Sequence, residues 1–271
     1  MNAIIKIDNL CKTFKLSKKQ QQINKTNEPI KVAVNELSLR AYKGEIYGLL
    51  GPNGAGKTTT LRILSTLIKA DKGSAFIEGI DVFTQPMEVR KKIGFLTSEL
   101  KLENFFTPNY LFDFFSDLYD VNEEDREKRK KQLFQKFEID KFKEVKIADL
   151  STGMKQKVSL VISLVHNPDI IIFDEPTNGL DVITAKTVTD FLVDLKNEGK
   201  TIILSTHIFS LVEKLCDRVG IIIDGKMVLE KPLKDVTVEK SLEDVFFDIY
   251  KNKIRKSRRV FWKCEIKWNC I

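Results

Sequence analysis

Long apolar runs are missing from this chain of 271 residues. A membrane-spanning helix needs roughly 20 consecutive apolar residues, and no stretch approaches that. The aromatic-rich segment Phe105 to Phe115 is broken by Thr107, Pro108, Asn109 and Asp113. The N-terminus lacks the basic, apolar and small-residue order of a signal peptide. Cysteine is sparse: Cys11, Cys216, Cys264 and Cys270 show no CxxC spacing, which argues against zinc ligation and for reduced cytosolic thiols. A soluble chain is expected. With 42% hydrophobic residues it has the material for one large α/β domain or two small ones.

A basic surface is missing too, despite a net charge of +7. Residues 251–271 hold Lys251, Lys253, Arg255, Lys256, Arg258, Arg259, Lys263 and Lys267 against Glu265 alone, which is the whole excess. Residues 1–250 are formally neutral, so composition implies no nucleic-acid partner. The tail also carries both tryptophans, Trp262 and Trp268. Basic and aromatic residues together either lie on anionic lipid or form a divergent end with no role.

Apolar patterning orders the rest. Residues 4–16 and 32–50 read as strands, joined by a polar stretch from Ser17 to Pro29 that reads as a solvated hairpin loop. From Thr58 the spacing of Leu61, Ile63, Leu64, Leu67 and Ile68 predicts a helix with a broad apolar face. Residues 108–149 look mainly helical, and the charged run Glu123 to Lys131 is a solvated face. The runs Ile170 to Phe173 and Thr201 to Leu204 suit central strands of a parallel sheet. Val219 to Ile223 leads into the hairpin turn Asp224-Gly225-Lys226. The class is α/β with a helical insertion at about 95–155.

Four segments carry chemistry. Gly51-Pro52-Asn53-Gly54-Ala55-Gly56-Lys57-Thr58, followed by Thr59, is a phosphate-binding loop between a strand and a helix. Its glycines allow backbone N–H groups to converge on an anion, and the helix adds its positive end. Lys57 supplies a charge for the β- and γ-phosphates and Thr58 a hydroxyl for Mg²⁺. Asp174-Glu175 ends a buried strand, where α/β sheets place ligands. There Asp174 holds Mg²⁺ and Glu175 polarises water as general base. His207, after Ser205-Thr206, reaches the same sheet edge and is placed to bond the γ-phosphate and the water. His166, before Asn167-Pro168, reads as a structural residue ending a helix. Leu150-Ser151-Thr152-Gly153-Met154-Lys155-Gln156 opens an apolar helix whose N-terminus is a further anion site.

With Asn178-Gly179-Leu180-Asp181, these ordered motifs resemble the nucleotide-binding subunit of ATP-binding-cassette (ABC) transporters, from about residue 4 to 249. The resemblance implies a phosphate-loop NTPase (RecA-like) core with a mostly parallel sheet, at about 1–94 and 156–249. To it are added an N-terminal antiparallel β subdomain, an α-helical subdomain at about 95–155 and a basic tail from 250 to 271. It implies an ATPase with ATP and Mg²⁺ as ligands. A second copy would place its signature, Ser151 and Gly153, against the γ-phosphate, and Asp181 would cross that interface. Phe14 in Leu10-Cys11-Lys12-Thr13-Phe14 resembles the aromatic that stacks on adenine. A multi-span permease at the cytoplasmic face of the membrane is the implied partner.

Two positions depart from the family pattern. Thr152 replaces the first signature glycine. Ser98, in Ile93-Gly94-Phe95-Leu96-Thr97-Ser98-Glu99, stands where the family usually has glutamine. Serine is too short to reach Mg²⁺ directly, so a water bridges the gap, or Glu99 substitutes, or the loop serves only to couple to the partner. The signature form and Ser241-Leu242-Glu243-Asp244-Val245-Phe246 look like exporter cassettes of the sodium-efflux (Nat) type, whose relatives also export drugs, lipids or polysaccharides. The alternative is a non-transport cassette ATPase acting on ribosomes or nucleic acid. Against it, this chain has one phosphate loop and only about 90 residues between Lys57 and the signature.

Overall fold

The computed structural model describes residues 3–23, 26–97 and 102–253. Strand β1 (Ala3–Lys15) is followed by a short helix α1 (Lys18–Ile23), then β2 (Ile30–Tyr42) and β3 (Ile46–Leu50). Helix α2 (Lys57–Leu64) leaves the phosphate loop, and β4 (Lys72–Ile77), β5 (Ile80–Asp81), α3 (Pro86–Lys92) and β6 (Ile93–Leu96) follow. Helices α4 (Pro108–Leu118) and α5 (Glu123–Lys136) form the insertion, continued by 3₁₀ turns at Ile139–Lys141 and Ile147–Asp149. The chain then runs α6 (Thr152–Ile162), β7 (Ile170–Asp174), α7 (Val182–Asn197), β8 (Thr201–Thr206), α8 (Phe209–Leu215), β9 (Arg218–Ile223), β10 (Lys226–Pro232) and α9 (Leu233–Val236). Residues 242–253 are helical, past the boundary expected near 250.

Two sheets carry the architecture. One is antiparallel, in the order β2-β1-β4-β5; the other runs β10-β9-β3-β8-β7-β6 and is parallel except for the hairpin strand β10. Its central strands are apolar throughout because both faces are covered. Successive residues point to opposite faces. Ile171 and Phe173 therefore pack with the α6 and α7 side chains, and Ile170 and Ile172 with Leu61, Leu64 and the antiparallel sheet. All four are completely buried.

Helix ends follow local chemistry. Thr107 caps α4 by accepting from Tyr110 N at 3.2 Å with Pro108 in the first turn, and Asn122 caps α5 by accepting from Asp125 N at 2.9 Å. Two expectations are corrected. The polar stretch after β1 is not all loop. Ser17 accepts from Gln20 N at 3.3 Å while Gln20 Oε1 accepts from Ser17 N at 2.8 Å, a capping box that starts α1. The helix leaving the phosphate loop stops at Leu64. Thr66 turns left-handed (φ 62°) and Leu67 N donates back to Arg62 O at 2.9 Å, which leaves Leu67 exposed instead of on the apolar face.

Candidate active site

The register of the large sheet brings three strand ends level. Leu50 pairs with Thr206, and Asp174 with Ser205. The residues that follow each strand, Gly51 onward, Glu175 and His207, therefore meet at one carboxyl edge.

The phosphate loop is fixed by close backbone approach. A Cβ on Gly51 would stand 2.3 Å from Ile222 O, and one on Gly56 (φ 105°) 2.3 Å from Ala33 O. The β9–β10 turn props the loop from behind, with Gly225 N donating to Ala55 O at 2.9 Å. Lys57 is buried, 4% exposed, and its ammonium donates to Gly51 O at 2.7 Å and Pro52 O at 3.3 Å. Burial lowers its pKa from the ordinary lysine value, opposed by the carboxylates of Glu175 and Asp174.

Glu175 joins the pieces. Its Oε1 lies 3.7 Å from Lys57 Nζ and 3.3 Å from His207 Nδ1. The residue is left-handed (φ 51°), a conformation non-glycine residues rarely take. Ser205 helps to hold it there: Glu175 N donates to Ser205 O at 3.1 Å and to Ser205 Oγ at 3.2 Å. The same Ser205 hydroxyl donates to Asp174 Oδ1. Nothing in the sequence pattern marked Ser205 beyond its place before His207.

A cavity of about 190 Å³ is lined by Phe14, Lys31, Ala33, residues 53–59 and Glu175. So Phe14, Asn53, Gly54, Ala55, Gly56, Lys57, Thr58, Thr59 and Glu175 share one site, His207 touches it through Glu175, and Gly51 and Pro52 lie beneath Lys57. Thr58 and Asp174 present a hydroxyl and a carboxylate, the hard oxygen donors that Mg²⁺ takes beside phosphate oxygens. Asp174 is 2% exposed, and Ser205 occupies one of its two oxygens, so the residues fit such an ion. Ser98 and Glu99 lie outside the described residues.

Ser151, Gly153 and Asp181 do not line that cavity. Ser151 caps α6, accepting from Met154 N at 3.2 Å, and no atom would stand within 4 Å of a Cβ on Gly153. Asp181 caps α7, accepting from Ile183 N and Thr184 N at 3.0 Å and from Thr184 Oγ1 at 2.7 Å. These bonds hold its carboxyl below the usual range, the Thr184 hydroxyl foremost. His166 is half-buried, and its Nε2 sits 3.0 Å from Ile93 O. Burial lowers its pKa to about 4, which fits the structural role expected of it.

Residues 34–178 match the family model described as ABC transporter. An uncharacterized ABC transporter ATP-binding protein of Methanocaldococcus jannaschii is 40% identical, over 87% of this chain and 80% of its own length. The ABC transporter ATP-binding protein NatA of Bacillus subtilis is 37% identical, over 82% and 90%. Among solved structures, a dimeric ATP-binding cassette in a post-hydrolysis state bound to ADP and Pi superimposes with a TM-score of 0.72. It is 29% identical and covers 84% of this chain and 98% of its own.

Proposed function

This chain is an ATP-binding, ATP-hydrolysing member of the ABC transporter family, and from that premise we propose that two copies of it close around ATP to drive export by a separate membrane subunit. The observation that carries this reading is the contact of Glu175 with both Lys57 and His207 at the rim of the phosphate-loop cavity. In it, Phe14 stacks on the base, the loop N–H groups and Lys57 hold the β- and γ-phosphates, and Thr58 and Asp174 hold Mg²⁺. The ion, when bound with the nucleotide, offsets charge on those phosphates. Glu175 takes the proton of the attacking water, and His207 orients Glu175 and the γ-phosphate.

Ser151 and Gly153 stand at a helix N-terminus, an anion site, away from the cavity that would hold the phosphates. A second copy resolves this: each signature completes the other's site, with Asp181 near the crossing. Residues 1–249 form the ATPase, and the helical part at about 95–155 pushes the membrane subunit. The family resemblance puts the chain on the cytoplasmic face through that partner; among the described residues no helix is long and apolar enough to cross a membrane. The signature form and residues 241–246, which resemble sodium-efflux (Nat-type) exporter cassettes, favour sodium ions or drugs as cargo.

Purified gently from its native membrane, the chain should bring with it a multi-span protein at near one-to-one ratio, in a complex that turns over ATP. Replacing Glu175→Gln should lower that turnover by about 10²- to 10⁴-fold, the span typical of a positioned base. A chain that comes away with ribosomes or nucleic acid instead overturns the transport reading. Unchanged turnover removes Glu175 as the base.

A further inference from the structure

The cavity above the phosphate loop has a charged wall that none of the motifs supplies. Lys31, on β2, pairs directly with Phe14 on β1. Directly opposed residues of an antiparallel pair present their side chains on the same face, so the lysine stands beside the ring. Its Nζ lies 3.9 Å from where a Cβ on Gly54 would be, over the rim of the loop. It lines the same cavity as Phe14, Lys57 and Glu175. Among the described residues no hydrogen bond or ion pair holds its side chain. A neighbouring cavity of about 390 Å³, lined by Leu16, Thr26, Glu28, Ile30 and Val32, also ends on Lys31. Lys31 is thus the partition between the nucleotide cavity and the polar stretch after β1.

We propose that Lys31 is a nucleotide-binding residue that contacts the phosphate nearest the ribose. The inference rests on the nucleotide-site reading above. Phe14 marks the base end of that site and Lys57, under the loop against Glu175, marks the γ-phosphate end. An ammonium at Gly54, next to the ring, lies between them, where the chain of phosphates leaves the sugar. A cation there attracts ATP and ADP alike and leaves adenosine unaffected. Because Lys31 is exposed, its pull is screened by salt.

The test is nucleotide affinity of the full chain, read by calorimetry with ATP, ADP and adenosine. For Lys31→Ala, ATP and ADP affinity at low salt should each fall about three- to tenfold, the scale of one partly screened charged contact. Adenosine affinity should not change, and the deficit should shrink at high salt. Lys31→Arg should retain the parent affinity and Lys31→Glu should lose more than alanine, with unfolding temperatures unchanged in all three. Parent-like ATP affinity in Lys31→Ala overturns the proposal. So does an equal loss for adenosine, which would mean a disturbed Phe14. A parent chain that binds no ATP and is indifferent to Lys57→Ala would overturn the nucleotide-site reading itself, and the proposal with it.

Discussion

Single side chains at this site do several jobs through short reach. Ser205 holds Asp174 through its hydroxyl and Glu175 through its carbonyl and hydroxyl, so one small residue orients both acids. The Phe14 wall has its own fastening. Asp71 accepts from Lys12 Nζ at 2.8 Å, Thr13 N at 2.6 Å and Thr13 Oγ1 at 2.7 Å, which fixes the two residues before the ring. The lysine bond and then the threonine hydroxyl lower the Asp71 pKa from 3.8 to about 2. A carboxylate lowered on folding stabilises above its unfolded pKa, and that contribution disappears as pH falls through the folded value. Asp71→Asn should therefore lower the denaturation midpoint above pH 4, modestly because the site is largely exposed, and the difference from the parent should vanish near pH 2. A difference that persists there would show that the charge is not the cause. The motif residues of the site were legible because backbone chemistry forces their types and spacing. Lys31, Asp71 and Ser205 were not, because their roles depend on strand register and on contacts far along the chain.

Elements differ in how much of their structure the residues announce. β7 and β8 were readable because burial on both faces leaves continuous runs of β-branched and aromatic residues. Phe173 is fully buried among the side chains of α6 and α7, and its strand ends in Asp174. Phe173→Ala should cost about 3–5 kcal/mol of stability, measured by denaturant unfolding. A cost below about 1 kcal/mol would mean that the neighbouring helices collapse into the space, a degree of relaxation uncommon for a large buried ring. The short α1 escaped notice because it buries nothing: its signal was the Ser17–Gln20 capping box, not an apolar stripe. The early end of α2 had a similar cause. Leu67 and Ile68 continued the helical spacing, but Thr66 closes the helix through backbone conformation, which apolar periodicity does not report.

On the proposed function, the molecule presents two half-sites. The phosphate loop, Glu175 and His207 share one edge of the large sheet, while Ser151 and Gly153 open α6 outside that cavity. A helix N-terminus with exposed Ser151 and open space over Gly153 suits an anion carried by another copy. On the proposed cycle, in which hydrolysis reopens the pair, blocking hydrolysis should leave a tight ATP-bound dimer. The most direct measurement is the mass in solution, by light scattering, of the Glu175→Gln chain with and without ATP. The account predicts a monomer without nucleotide and a dimer with ATP, with the dimer lost when Gly153→Asp is added to place a negative charge against the incoming phosphate. A Glu175→Gln chain that stays monomeric while saturated with ATP would contradict it.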